Sequence, residues 1–140
     1  MNNVLYLPML GLVTLTVVVW AMAVYRRVRE IRIRRIPLQS LAQARQVAVA
    51  FEDVQAMDNF NNLLQVPVLF YVLCLAVAQS GSGGELFLAG AWAYVLLRVL
   101  HSAIQITHNR VPHRFYVWLT SNLILIALWI GFAVDVLRAA

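Results

Sequence analysis

The chain has 140 residues, of which 62% are hydrophobic and only 12% charged, and its formal net charge is +5. Soluble domains average roughly 25% charged residues, so this composition excludes an ordinary water-soluble domain and points to lipid. A hydrocarbon core about 30 Å thick asks for roughly 20 apolar residues per helix, so four spans and short connections fill nearly the whole chain and leave no room for a separate soluble domain.

The first span covers about residues 4–25, carries no charge, and has Trp20 and Tyr25 toward its end, the aromatic types that settle at a membrane interface. Ala21-Met22-Ala23 resembles a signal-peptidase site, but the positive residues follow the apolar run instead of preceding it, so the span is expected to be retained. All 11 basic residues are Arg, and six lie in residues 26–35. Such a dense cluster after an apolar span is a topology signal and a contact for anionic lipid. Nucleic acid, which asks for a spread basic surface with stacking aromatics, is not expected as a partner.

Residues 38–58 form an amphipathic cytoplasmic segment, in which Leu38, Leu41, Ala48, Phe51 and Val54 recur at helical spacings or their multiples. No break signal separates it from the second span, about residues 59–78, so one helix of about 40 residues, on the order of 60 Å, is expected to protrude from the bilayer. Glu52 and Asp53 are adjacent and point to different helix faces, which makes them a solvated pair instead of an acid/base pair. Pro67 removes one backbone hydrogen bond and is expected to bend the second span, leaving the Leu63 carbonyl free. Cys74 is the single cysteine, so no intrachain disulfide forms, and its place in an apolar run makes it a small buried hydrophobe.

Residues 79–85 are rich in Gly and Ser and connect the second span to the third, about residues 86–107. Residues 108–114, with Pro112 and two Arg, join the third span to the fourth, about residues 115–137. Seven Arg in residues 26–45 together with Arg110 and Arg114 face Arg138 alone on the other side, so both termini are expected to be non-cytoplasmic. The whole chain reads as one all-α integral membrane four-helix bundle.

Ionisable and amide groups inside the spans mark function or assembly, because each costs several kcal/mol at the bilayer centre unless paired or solvated. Asp58, Asn61 or Asn62, and Gln65 fall on one face of the second span, and Arg98, His101, Gln105 and His108 on one face of the third. Gln65 and His101 lie about six residues inside the boundary, roughly 9 Å, and Arg98 about nine, roughly 13 Å, from where its side chain can reach back toward Asn62 and Asp58. The two stripes are either interhelical glue or a cavity that binds an anion, with Arg98 and Arg114 offering charge-assisted hydrogen bonds to a carboxylate. His101, His108 and His113 are the only histidines, and no second span supplies a partner ligand, so no metal or haem is expected.

The segments Asn62-Leu63-Leu64-Gln65-Val66-Pro67-Val68-Leu69-Phe70-Tyr71, Tyr94-Val95-Leu96-Leu97-Arg98-Val99-Leu100-His101 and Asn109-Arg110 resemble the MAPEG family, the membrane-associated proteins in eicosanoid and glutathione metabolism. The resemblance covers roughly residues 51–122, and is strongest to a less-characterised bacterial branch, which implies a bacterial inner membrane. It implies a homotrimer of four-helix subunits that holds glutathione as co-substrate between neighbours, near the cytoplasmic face. Ligand binding would then fall to Asn62, Gln65, Arg98, His101 and Gln105, and activation of the thiol to Arg110 or Arg114. Thiolate formation assisted by positive charge, then attack on a lipophilic electrophile or peroxide, is the implied chemistry. Four positions depart from the family pattern: Gln65 stands for a glutamate, Asp58 for an arginine, and His101 and Gln105 for tyrosines. Two functions stay open, a glutathione-dependent transferase or peroxidase acting on lipophilic substrates, and a non-catalytic protein that binds a lipid or a membrane partner through the same groove.

Overall fold

The computed structural model describes residues 3–139, with Ala44 and Ala48 described by their backbone alone. The side chain of Ala48, one of the periodic positions of the amphipathic segment, therefore lies outside the described residues. Among the described residues six α-helices follow in order: α1 (Tyr6–Arg34), α2 (Ala44–Ala50), α3 (Gln55–Leu63), α4 (Pro67–Ser80), α5 (Glu85–Ile106) and α6 (Val111–Ala139). A short 3-10 turn precedes α1 and another, Leu38–Leu41, precedes α2; no strand occurs among the described residues. Four stretches are long and apolar enough to cross a membrane: Asn3–Arg34, Gln55–Ser80 (α3 and α4 together), Glu85–Ile106 and Val111–Ala139. The chain is an integral membrane protein of four spanning helices.

All four prolines sit where a missing backbone N–H does no harm. Pro8 and Pro112 lie in the first turns of α1 and α6, Pro67 opens α4, and Pro37 follows the end of α1. Pro67 does more than bend the second span. The helix stops at Leu63, residues 64–66 make tighter turns in which Leu64 and Gln65 N–H donate to the carbonyls of Asn61 and Asn62, and α4 starts afresh. Left-handed residues follow three of the helices: Gly81 (φ 72°) after α4, Asn109 (φ 44°) after α5 and Arg35 (φ 52°) after α1. Glycine and asparagine tolerate that conformation well.

The continuous helix expected over residues 38–78 does not form. Beyond the apolar run, α1 continues for nine residues, 26–34, and this extension grips residues 50–53. The Glu30 carboxylate accepts the Glu52 and Asp53 backbone N–H groups at 2.8 and 3.3 Å, and Arg34 donates to the Ala50 carbonyl at 3.0 Å. Arg26 pairs with Asp53 at 3.1 Å, Arg34 with Glu52 at 3.3 Å, and the Arg27 guanidinium lies 4.5 Å from the centre of the buried Phe51 ring. Side chains thus satisfy backbone groups that a helix would satisfy internally, which makes the break at residues 51–54 affordable. Glu52 and Asp53, expected to be merely solvated, are therefore ion-paired to α1.

Packing centres on the middle spans, of whose most apolar stretches 39% is buried, against 22% for the first and 17% for the fourth. Leu12 and Val19 of α1, Leu63 of α3, Phe70, Leu73 and Val77 of α4, Ala91 and Tyr94 of α5 and Leu125 of α6 make one core, with Phe70 and Tyr94 stacked at 4.7 Å between ring centres. The largest interface joins α5 and α6. Leu5 packs so closely on the 81–84 turn that a Cβ on Gly83 would stand 2.6 Å from it. The start of α1 therefore lies at the end opposite the arginine cluster, and α6 finishes there too, since Asp135 and Ser82 line one cavity.

Candidate functional site

At the arginine-rich end, α3, α5 and α6 enclose a cavity of about 390 Å³ whose polar wall is Asp58, Asn62, His101, Gln105 and Arg114. Val111, Phe115 and Trp118 of α6 supply its apolar wall. The cavity exists here because the break after Leu63 ends the α3 packing surface, while α5 turns back into α6 through the left-handed Asn109. Asn109 also fixes a charge: Arg114 Nη1 donates to its Oδ1 at 2.7 Å.

Behind the wall lies Arg98, with no exposed surface at all. Its Nη2 donates to Asn62 Oδ1. Nε and Nη1 are buried without a partner, and Arg98 makes no salt bridge among the described residues. Four more buried donors stand unpaired among the described residues: Asn59 Nδ2 on α3, the Tyr94 hydroxyl on α5, and Asn122 Nδ2 and Trp129 Nε1 on α6. A cation removed from water and matched only by a neutral amide leaves several kcal/mol of burial cost without compensation. Asp58, expected within reach of Arg98, lines the cavity but does not pair with it.

His101 is held from both sides. Nδ1 lies 3.2 Å from the Arg114 carbonyl and Nε2 3.0 Å from the Gln105 side-chain amide. The atom facing Nε2 is Gln105 Oε1. The Arg114 carbonyl can only accept, so a neutral ring carries its proton on Nδ1, and the Gln105 amide must be turned over to donate an N–H to Nε2. This pins α5 to the first turn of α6 and fixes the cavity's width.

The structure brings together Asn62, Arg98, His101, Gln105 and Arg114. Gln65 does not join them; it is exposed in the turn before α4. Arg110 is likewise exposed and outside the cavity wall, so of the two candidate arginines only Arg114 lines the site. His108 and His113 are exposed beside each other at 6.2 Å between ring centres, and no group of three or more His, Cys, Asp or Glu that could hold a metal occurs among the described residues. The sequence reading missed Asn59, which is fully buried and accepts the Ser102 hydroxyl at 3.2 Å. Its signal was present: Asn59 precedes Asn62 by three residues, and Ser102 follows Arg98 by four.

A second cavity, of about 460 Å³, opens at the other end between α4, α5 and α6 and is mainly apolar, with Phe87, Gly90, Leu128 and Gly131 in its wall. Along α6, buried Ser121 lies between Trp118 of the polar cavity and Ile124 of this one.

Four membrane-spanning helices around a buried arginine, with a polar-walled cavity at the arginine-rich end, define an integral membrane bundle built around a polar site. The model of the MAPEG family matches residues 5–134, and the chain belongs to that family. No curated protein and no solved structure matches it.

Proposed function

We propose that the chain is a glutathione-dependent transferase or peroxidase acting on lipophilic substrates, with glutathione seated at the polar cavity. One observation carries this reading: Arg98 is wholly buried, with two unpaired donors and no counter-ion among the described residues. A ligand carboxylate in the cavity would supply the missing charge across the Asn62 wall, and would form charge-assisted hydrogen bonds with Arg98 once Asn62 moves aside to admit it. Glutathione brings carboxylates and a thiol, and family membership supports it as the ligand.

In this reading Asn62 orients Arg98, His101 and Gln105 hold the wall, and Arg114 favours the thiolate by its charge. Arg110, outside the wall, and Gln65, exposed on a single chain, reach the ligand only through a neighbouring subunit, which the homotrimer implied by the family resemblance supplies. The lipophilic substrate enters from the bilayer along Val111, Phe115 and Trp118. The glutathione thiol loses its proton to water. The thiolate sulfur then bonds to an electrophilic carbon while that carbon's leaving group departs with the electron pair of the broken bond, or, at an activated double bond, while the neighbouring carbon takes up a proton from water. With a hydroperoxide, two thiols become a disulfide while the peroxide becomes an alcohol and water. Nine arginines at this end, seven in residues 26–45 plus Arg110 and Arg114, support its facing the cytoplasm with both termini opposite.

The test is consumption of glutathione by purified protein with a panel of lipophilic electrophiles and hydroperoxides. Turnover above the protein-free rate, lowered roughly a hundredfold in Arg114→Gln, is the expected result. No turnover with any of them overturns the enzyme reading. Asp58 in the cavity wall favours a second reading, since a carboxylate beside Arg114 suits a zwitterionic lipid headgroup; binding of such a lipid without any turnover would establish it.

A further inference from the structure

The six arginines of residues 26–35 do not share one task. Along the α1 extension, Arg26, Arg27, Glu30 and Arg34 turn inward and hold residues 50–53. Tyr25, Val28, Arg29, Arg32 and Ile33 recur at i, i+3, i+4, i+7 and i+8, so they share the opposite face. All five are exposed, Tyr25 by 67% and Ile33 by 66%, and together they line a groove of about 310 Å³. Neither Arg29 nor Arg32 makes a salt bridge among the described residues.

This face begins where the apolar run ends. Tyr25 stands at the interfacial level that aromatic residues prefer, and Arg29 and Arg32 lie roughly 6 and 10 Å further along the axis, in the headgroup layer. Two guanidinium groups one helical turn apart match the oxygens of a phosphate better than any single charge does. Val28 and Ile33 alternate with the arginines and need apolar cover, which an acyl chain gives and a free phosphate does not.

We propose that this outer face of α1 is a binding site for an anionic phospholipid, with the headgroup phosphate between Arg29 and Arg32 and an acyl chain along Tyr25 and Val28. The site is independent of whatever the polar cavity holds. It also assigns the cluster two jobs on two faces: the inner arginines fold the connection, and the outer ones recognise the lipid.

The experiment is native mass spectrometry of the detergent-solubilised protein titrated with phosphatidylglycerol or with phosphatidylcholine of the same acyl chains. Preferential retention of phosphatidylglycerol is expected, reduced about thirtyfold in the R29Q/R32Q variant, the combined effect of two arginines near a phosphate. The R26Q/R34Q variant, which removes the same charge from the inner face, should keep the preference while residues 50–54 become open to protease. In the wild-type protein, which needs no variant to fold, the preference should weaken as salt rises and survive addition of inorganic phosphate. Equal retention of the two lipids, an undiminished preference in R29Q/R32Q, equal losses in both double variants, or displacement by inorganic phosphate overturns the proposal.

Discussion

Replacing Arg98 by Met keeps a long side chain in the core but removes its charge. The wild-type guanidinium gives one hydrogen bond, to Asn62, and leaves Nε and Nη1 unpaired in a fully buried position. The lost charge-assisted bond is worth about 1.5–3 kcal/mol. Against it stands the desolvation of an unmatched cation, several kcal/mol, which the variant no longer carries. Asn62 lines the cavity, so water can take the place of its lost partner. The unliganded variant should therefore melt at or above the wild-type midpoint, the reverse of an ordinary core substitution. Ligand response should go the other way. Glutathione at a hundred times its Kd stabilises a protein that binds it by about 2.7 kcal/mol, and Arg98→Met should show none of that gain. Thermal unfolding in detergent with and without glutathione reads both effects. An unliganded variant that melts well below the wild type, or whose oligomer dissociates in native mass spectrometry, while the glutathione shift persists, would place Arg98 among structural contacts and refute the reasoning.

Glu30→Gln keeps the shape but removes the charge that accepts the Glu52 and Asp53 N–H groups and pairs with Arg34; since these contacts are largely solvent-exposed, the cost is about 1 kcal/mol and confined to the connection, seen as faster limited proteolysis at residues 50–54 with an unchanged global midpoint. Pro67→Ala restores an N–H and removes the clash with the preceding turn, so α3 and α4 should fuse. Amide exchange at residues 64–66 should slow about tenfold, and an unchanged rate would show that the break does not depend on the proline.

The four spans were legible because apolar runs near 20 residues have few other uses, and the Gly-rich turn at residues 79–85 separates two of them without ambiguity. The Arg98–Asn62 contact was legible too, since both lie on polar stripes of comparable depth on neighbouring helices. The break at residues 51–54 was not. Its cause is the α1 extension some 25 residues earlier, and the periodicity of residues 38–58 carries no trace of that distant partner. Glu30, the one acid within the arginine cluster, was the available signal, because an acid amid six arginines has its own partners to find. On α3 the stripe through Asp58 and Asn62 is the face that lines the cavity, while the buried face, Ala56, Asn59 and Leu63, lies about 100° round the helix, and the sequence reading took the second face as ordinary span. The apolar cavity at the opposite end depends on how α4, α5 and α6 diverge, which no local pattern encodes.

The central claim, that buried Arg98 awaits a ligand carboxylate, is tested most directly by calorimetric titration of the purified protein in mild detergent with glutathione, with an analogue lacking the thiol, and with glutathione whose carboxylates are amidated. Saturable binding with a Kd near or below roughly 1 mM, matched by the analogue without the thiol and lost on amidation, is the predicted result. Absence of saturable binding, or binding indifferent to amidation, would contradict it.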